Sequence, residues 1–178
     1  MEIEELIAET INTLGKDLSP ETKVTFAKAI KHNLETGCSV AESLGLNSDN
    51  MEWIYTGAYN FYKAGRYNDA ILLFKLLIRL DEDNVKYYLG LGACFFMLKQ
   101  YDVAIYPYAA AAYFDKDNPI PFFYISECFL KMNDKASALR TYDKMLEILN
   151  KTTLYAELKH RTELSAEQLR KETQATVS

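Results

Sequence analysis

Cysteine, histidine and carboxylate side chains could all carry covalent or metal chemistry in this chain, and none of them is spaced for it. Cys38, Cys94 and Cys128 form no Cys-x-x-Cys pair, and their odd number suits reduced thiols. His32 and His160 have no second ligand at metal spacing, so both read as surface residues. Glu127 has no partner acid, which leaves glycosidase-like chemistry unsupported. Gly90-Leu91-Gly92 is not a dinucleotide loop, because Phe95 stands where the third glycine belongs and no strand precedes it. The reading is a non-enzyme with no cofactor and no metal. What remains is a stripe of aromatic hydroxyls, Tyr55, Tyr59 and Tyr62, spaced four and three apart so that they share one helix face. That arrangement suits non-covalent capture. A tyrosine ring buries a large apolar area and keeps a wettable hydroxyl, so it tolerates both a free and an occupied state.

The elements that must position this stripe come from an internal repeat. Residues 51–84, 85–118 and 119–152 align without gaps over a 34-residue period, each as a helix, a short turn and a second helix. The eighth position is small (Ala58, Gly92, Ser126), the eleventh is Phe61, Phe95 and Phe129, and the twentieth is Ala70, Ala104 and Ala138. The twenty-fourth is Phe74, Tyr108 and Tyr142. Small residues let two antiparallel helices approach, and the aromatics fill the space beside them. Cys94 and Cys128 share the tenth position, which reads as small buried packing. Lys135 replaces the turn tyrosine in the third repeat, and Pro107 is read as an early-turn proline tolerated in the second helix of the second.

This pattern resembles the tetratricopeptide repeat, and the expected fold is an all-α solenoid of three repeats. Its ends need covers. Residues 1–50 are expected to supply an N-terminal helical segment, with starts at Ser19-Pro20-Glu21 and Ser39-Val40-Ala41-Glu42, and residues 153–178 a C-terminal capping helix and tail. The first helix of each pair should line the concave side. Candidate groove residues are Tyr55, Tyr59, Tyr62 and Lys63, then Leu89, Ala93, Phe96 and Met97, then Phe123, Glu127 and Leu130, with Lys131 at the rim. The Lys, Asn and Arg clamp with which some tetratricopeptide modules hold acidic chain ends is missing, since Tyr55, Tyr59 and Ala93 stand there. Apolar pockets edged by lysine suit an extended peptide with spaced hydrophobic anchors, each contributing about 1.5–3 kcal/mol before ordering costs.

Composition narrows the partners. The net charge is −5 and all of it falls within residues 1–50, so no block is basic enough for a nucleic-acid footprint. The longest uncharged runs, Tyr87–Leu98 and Val103–Phe114, are 12 residues each. A spanning helix needs about 20, so direct membrane insertion is not expected. The acidic start Met1-Glu2-Ile3-Glu4-Glu5 differs from the basic start of a secretory signal, and a cytosolic location is expected.

One family matches these residues closely. Tyr55-x-x-Ala58-Tyr59-x-x-Tyr62-x-x-Gly65-x-Tyr67-x-Asp69-Ala70 resembles the first repeat of class II type III secretion chaperones. So do Leu80-Asp81, the run Tyr88-Leu89-Gly90-Leu91-Gly92-Ala93-Cys94, and Gln100-Tyr101-Asp102-x-Ala104-Ile105; the similarity extends from about Leu34 to Tyr142. The resemblance implies a chaperone in the cytoplasm of a Gram-negative bacterium. It implies a groove that holds an extended N-terminal segment of hydrophobic translocator proteins and keeps them soluble. A tetratricopeptide adaptor that regulates a transcription factor or secretion component is the alternative. The resemblance also implies homodimerisation through the N-terminal helix. Ile3, Leu6, Ile7, Ile11, Leu14 and Leu18 do fall on a helical stripe, with Glu2, Glu5 and Glu9 on other faces. That stripe could equally fold back as a cover. Light scattering on dilution, with and without residues 1–18, separates the two: the truncated chain should show half the mass, and an unchanged mass discards the dimer role.

Overall fold

The computed structural model describes residues 20–36 and 40–175, and among these every regular element is α-helical. The dimer stripe from Ile3 to Leu18, together with Ser19, Cys38 and Ser39, lies outside the described residues. The order is α1 Pro20–Thr36, α2 Val40–Ser43, α3 Ser48–Lys63, α4 Tyr67–Leu80, α5 Val85–Met97, α6 Tyr101–Phe114, α7 Ile120–Lys131, α8 Lys135–Leu149 and α9 Ala156–Ala175. Each of α3 to α9 packs chiefly on its sequence neighbours, and α3 also touches α5. That pattern is a tetratricopeptide-type solenoid, in which each helix pair buries its apolar face on the next.

The start of the array is set by a reciprocal cap. The Asn47 side chain accepts from the Asn50 backbone N–H at 2.9 Å, while the Asn47 N–H donates to Asn50 Oδ1 at 3.1 Å. The three intra-repeat turns share one geometry. Gly65, Lys99 and Asn133, each at repeat position 15, sit at φ of +75°, +61° and +60°. The next residue in each case donates back across the helix end, Arg66 to Phe61, Gln100 to Phe95 and Asp134 to Phe129, at 2.9–3.0 Å. This closure satisfies the last carbonyls, and it forces left-handed backbone on lysine and asparagine in the second and third turns. The turn tyrosines brace the same junctions: Tyr67 meets Tyr62 edge-on at 5.6 Å and Tyr101 meets Phe96 at 5.2 Å. In the third repeat Lys135 instead pairs with Glu172 of α9 at 2.8 Å.

The core runs along the repeat axis. Ala58, Ala70, Leu77, Cys94, Ala104, Ala111, Cys128, Ala138 and Met145 are all fully buried. Helix approach is closest where glycine stands under a ring. A Cβ on Gly90 would lie 2.4 Å from the Phe74 ring, and one on Gly92 would lie 2.6 Å from Tyr108. At the far end α9 buries Ala166 and Leu169 against Ala138 and Tyr142, and Arg170 pairs with Asp143 across the seam. Pro107 differs from the sequence expectation. It is the seventh residue of α6 and buried, past the first turn, so the Val103 carbonyl loses its helical donor inside the helix.

Two glycine substitutions in first helices should move stability in opposite directions. Gly57→Ala meets only Leu73 Cδ1, at 3.6 Å, and should gain roughly 0.5–1 kcal/mol of helix propensity. Gly92→Ala drives a methyl into the ring of Tyr108, which is fully buried and stacked on Tyr124 at 5.0 Å; overpacking of about 1–3 kcal/mol should outweigh the propensity gain. Urea midpoints followed by circular dichroism check both signs.

Candidate functional site

The tyrosine stripe on α3 forms a continuous ladder. Tyr55 and Tyr59 stack with centroids 6.5 Å apart and planes within 10°, and Tyr59 and Tyr62 stack at 6.4 Å and 19°. The two ends are anchored and the middle is open. Tyr55 packs on the Phe74 and Tyr87 rings, each at 6.0 Å, and Tyr62 packs on Tyr67. Tyr59 remains 47% exposed, with Lys63 Nζ 5.7 Å from its ring centre. Burial, then the neighbouring Tyr67, raises the Tyr62 hydroxyl above the ordinary phenol range, so it stays protonated and able to donate. The other side of α3 reaches the core through Met51 and Ala58. The ladder is thus a second face of the helix.

The remaining candidates stand at matching repeat positions on the next two first helices. Leu89, Ala93 and Phe96 on α5 are half-buried, and Met97 is 46% exposed. On α7, Phe123, Glu127 and Leu130 are half-buried and Lys131 is exposed. Two contributors escaped the sequence reading. Lys86 holds its ammonium 4.5 Å over the Tyr55 ring and pairs with Glu52 at 2.6 Å, tying the first two repeats together at the head of the ladder. At the other end α9 turns Leu158, Arg161, Thr162 and Ser165 toward Phe123 and Glu127, enclosing a recess of about 160 Å³ that also reaches Tyr142. Their spacing marks one helix face, but they lie outside the 34-residue period. A wider recess of about 540 Å³, bordered by Asp115, Asp117 and Tyr155, opens between the turns after α6 and α8, away from the ladder.

Below this surface lie the two described thiols. Cys94 and Cys128 are fully buried, and burial pushes each thiol up to about 12. Glu127 adds to the rise at Cys128. The Tyr108 hydroxyl is buried without a hydrogen-bond partner, and burial raises it further still. Its counterpart in the first repeat is Phe74, which has no hydroxyl to satisfy. Both histidines are exposed, and among the described residues no group of His, Cys, Asp and Glu could hold a metal ion. No described helix is long and apolar enough to cross a membrane.

Comparison with known proteins gives this geometry a context. The tetratricopeptide repeat family profile matches residues 55–119. The low calcium response locus protein H of Yersinia pestis is 38% identical over 66 residues, covering 37% of this chain and 39% of that protein. The matched stretch therefore spans about two fifths of the length of that curated relative. Solved structures extend the likeness further. The type III secretion translocator chaperone SycD of Yersinia enterocolitica superposes with a TM-score of 0.68 at 32% identity, over 74% of this chain and 98% of that one. SycD in complex with a peptide of the translocator YopD gives 0.65 at 32% identity, over 71% and 97% of the two chains.

The burial of both thiols has a direct readout. In a Cys38→Ser chain, a disulfide reagent that colours on thiolate attack should label neither Cys94 nor Cys128 at mildly alkaline pH until urea unfolds the protein. Two rapid equivalents in the native state would contradict the burial.

Proposed function

This chain belongs to the type III secretion translocator chaperone family, and on that premise we propose that it is a cytosolic, non-catalytic chaperone holding an extended segment of a hydrophobic translocator in the groove of α3, α5 and α7. The observation that carries the reading is the open middle of the ladder: Tyr59 stays nearly half exposed between two anchored rings, and Met97, on the first helix of the next repeat, is as exposed. Large apolar side chains left uncovered in one contiguous stretch mark an interaction surface. The complex of SycD with a YopD peptide supports the same use of a related fold.

In this reading Tyr55, Tyr59, Tyr62 and Lys63, then Leu89, Ala93, Phe96 and Met97, then Phe123, Glu127 and Leu130 contact the guest. Residues 51–152 are the working array, with residues 1–50 and 153–178 as its covers. The guest contributes its own apolar anchors. Sequestering them removes surface that would otherwise aggregate or enter a membrane early. Capture by a few anchors against an open face gives modest affinity, which suits a carrier that must release its load. The N-terminal stripe supplies a homodimer contact.

A Tyr59→Ala, Tyr62→Ala chain co-expressed with a candidate translocator, its helicity checked by circular dichroism, should leave most of the translocator insoluble. Each lost ring contact removes at least about 1.5 kcal/mol, or roughly tenfold in affinity. Undiminished soluble translocator would remove the groove from the mechanism.

A further inference from the structure

We infer that the groove ends, beside α9, in a polar subsite that takes one carboxamide side chain, asparagine or glutamine, of the bound segment; this rests on the groove reading above. The recess there has a volume of about 160 Å³, several times the roughly 30 Å³ share of one water molecule, so a side-chain head group fits. Its wall differs in kind from the ladder. Glu127, Tyr142, Arg161, Thr162 and Ser165 all bring oxygen or nitrogen to it.

Two of those groups are unspent. Glu127 and Arg161 line the same recess, yet neither makes an ion pair or a side-chain hydrogen bond among the described residues. The neighbouring seam behaves otherwise, since Lys135–Glu172 and Arg170–Asp143 both pair α8 with α9. The rest of the recess is already committed. The Thr162 hydroxyl donates to the Leu158 carbonyl at 2.7 Å, and burial keeps the Tyr142 hydroxyl protonated, with Ser126 and Ser165 acting against that rise. The subsite therefore offers one anionic acceptor and one cationic donor to whatever enters.

Those two poles select the guest group. A carboxylate would meet Glu127, and an ammonium would meet Arg161. An apolar side chain would strip water from two ions and return no hydrogen bond. A carboxamide is neutral and answers both: its NH2 donates to Glu127 and its carbonyl accepts from Arg161. With apolar anchors held by the rings and a carboxamide held at α9, the guest has one register and one direction.

The test is an array of short synthetic peptides with apolar residues at varied spacings and Gln, Asn, Glu, Lys, Leu or Ala at the remaining positions, probed with the full chain. The unaltered protein should enrich Gln or Asn over Ala by roughly tenfold at one fixed distance from the apolar anchors. Arg161→Glu, a change at an exposed position, should move that preference to Lys while the apolar anchors stay enriched; circular dichroism confirms that the variant is folded. The inference is overturned if apolar anchors are enriched with no residue preference at that distance, if Leu is preferred there, or if Arg161→Glu leaves the Gln preference intact. Failure to retain any peptide would sink the groove reading itself, and the subsite with it.

Discussion

A ring resting on a helix backbone sets the spacing of the array. Phe74 lies against Gly90 and Tyr108 against Gly92, so close that a single methyl group on either glycine would overlap the ring. Both contacts fall on α5, the central first helix. Their consequence reaches the surface: the Phe74 ring that rests on Gly90 also meets Tyr55 edge-on at 6.0 Å, at the head of the ladder. From there Tyr55, Tyr59 and Tyr62 stack along their own helix. The close contact and the exposed ladder thus share one ring. The Tyr108 hydroxyl is enclosed without a partner, a cost that Phe74 avoids.

Much of this was legible because it repeats. Ala70, Ala104 and Ala138 occur at one period, and three coincident small residues state a helix-packing rule that one could not. The tyrosine stripe was legible from spacing alone, since four-and-three intervals admit only one helix face. What did not repeat was harder to read. Lys135 breaks the period of turn tyrosines, and its ion-pair partner Glu172 lies 37 positions along the chain, on a helix that belongs to no repeat. Asn133 and Lys99 adopt the left-handed turn that Gly65 adopts freely, because it lets the next residue's N–H close on the Phe129 and Phe95 carbonyls at the helix ends. Pro107 was misplaced by a turn for a similar reason: the helix continues through it under the packing that buries it.

The two ends of the inner face differ in chemistry, and the difference follows from which element closes each one. At the head, Lys86 spends its charge on Glu52 and on the rings beneath it, so the surface presented there is aromatic. At the foot, α9 closes the array with a helix of polar composition, and Arg161, Thr162 and Ser165 line one recess with Glu127, to which Arg161 is not paired. A solenoid built from identical units would offer the same surface along its length. Here the closing helix breaks that equivalence, and the inner face acquires a direction.

Trp53 occupies the third position of the first repeat, where the second and third repeats bury Tyr87 and Pro121. It is the sole tryptophan of the chain, and it is 79% exposed. An indole already bathed in water in the folded state changes its emission little when the chain melts. Intrinsic tryptophan fluorescence of this protein will therefore be nearly silent to unfolding. It will respond instead to whatever comes to rest against the outer edge of the first helix pair.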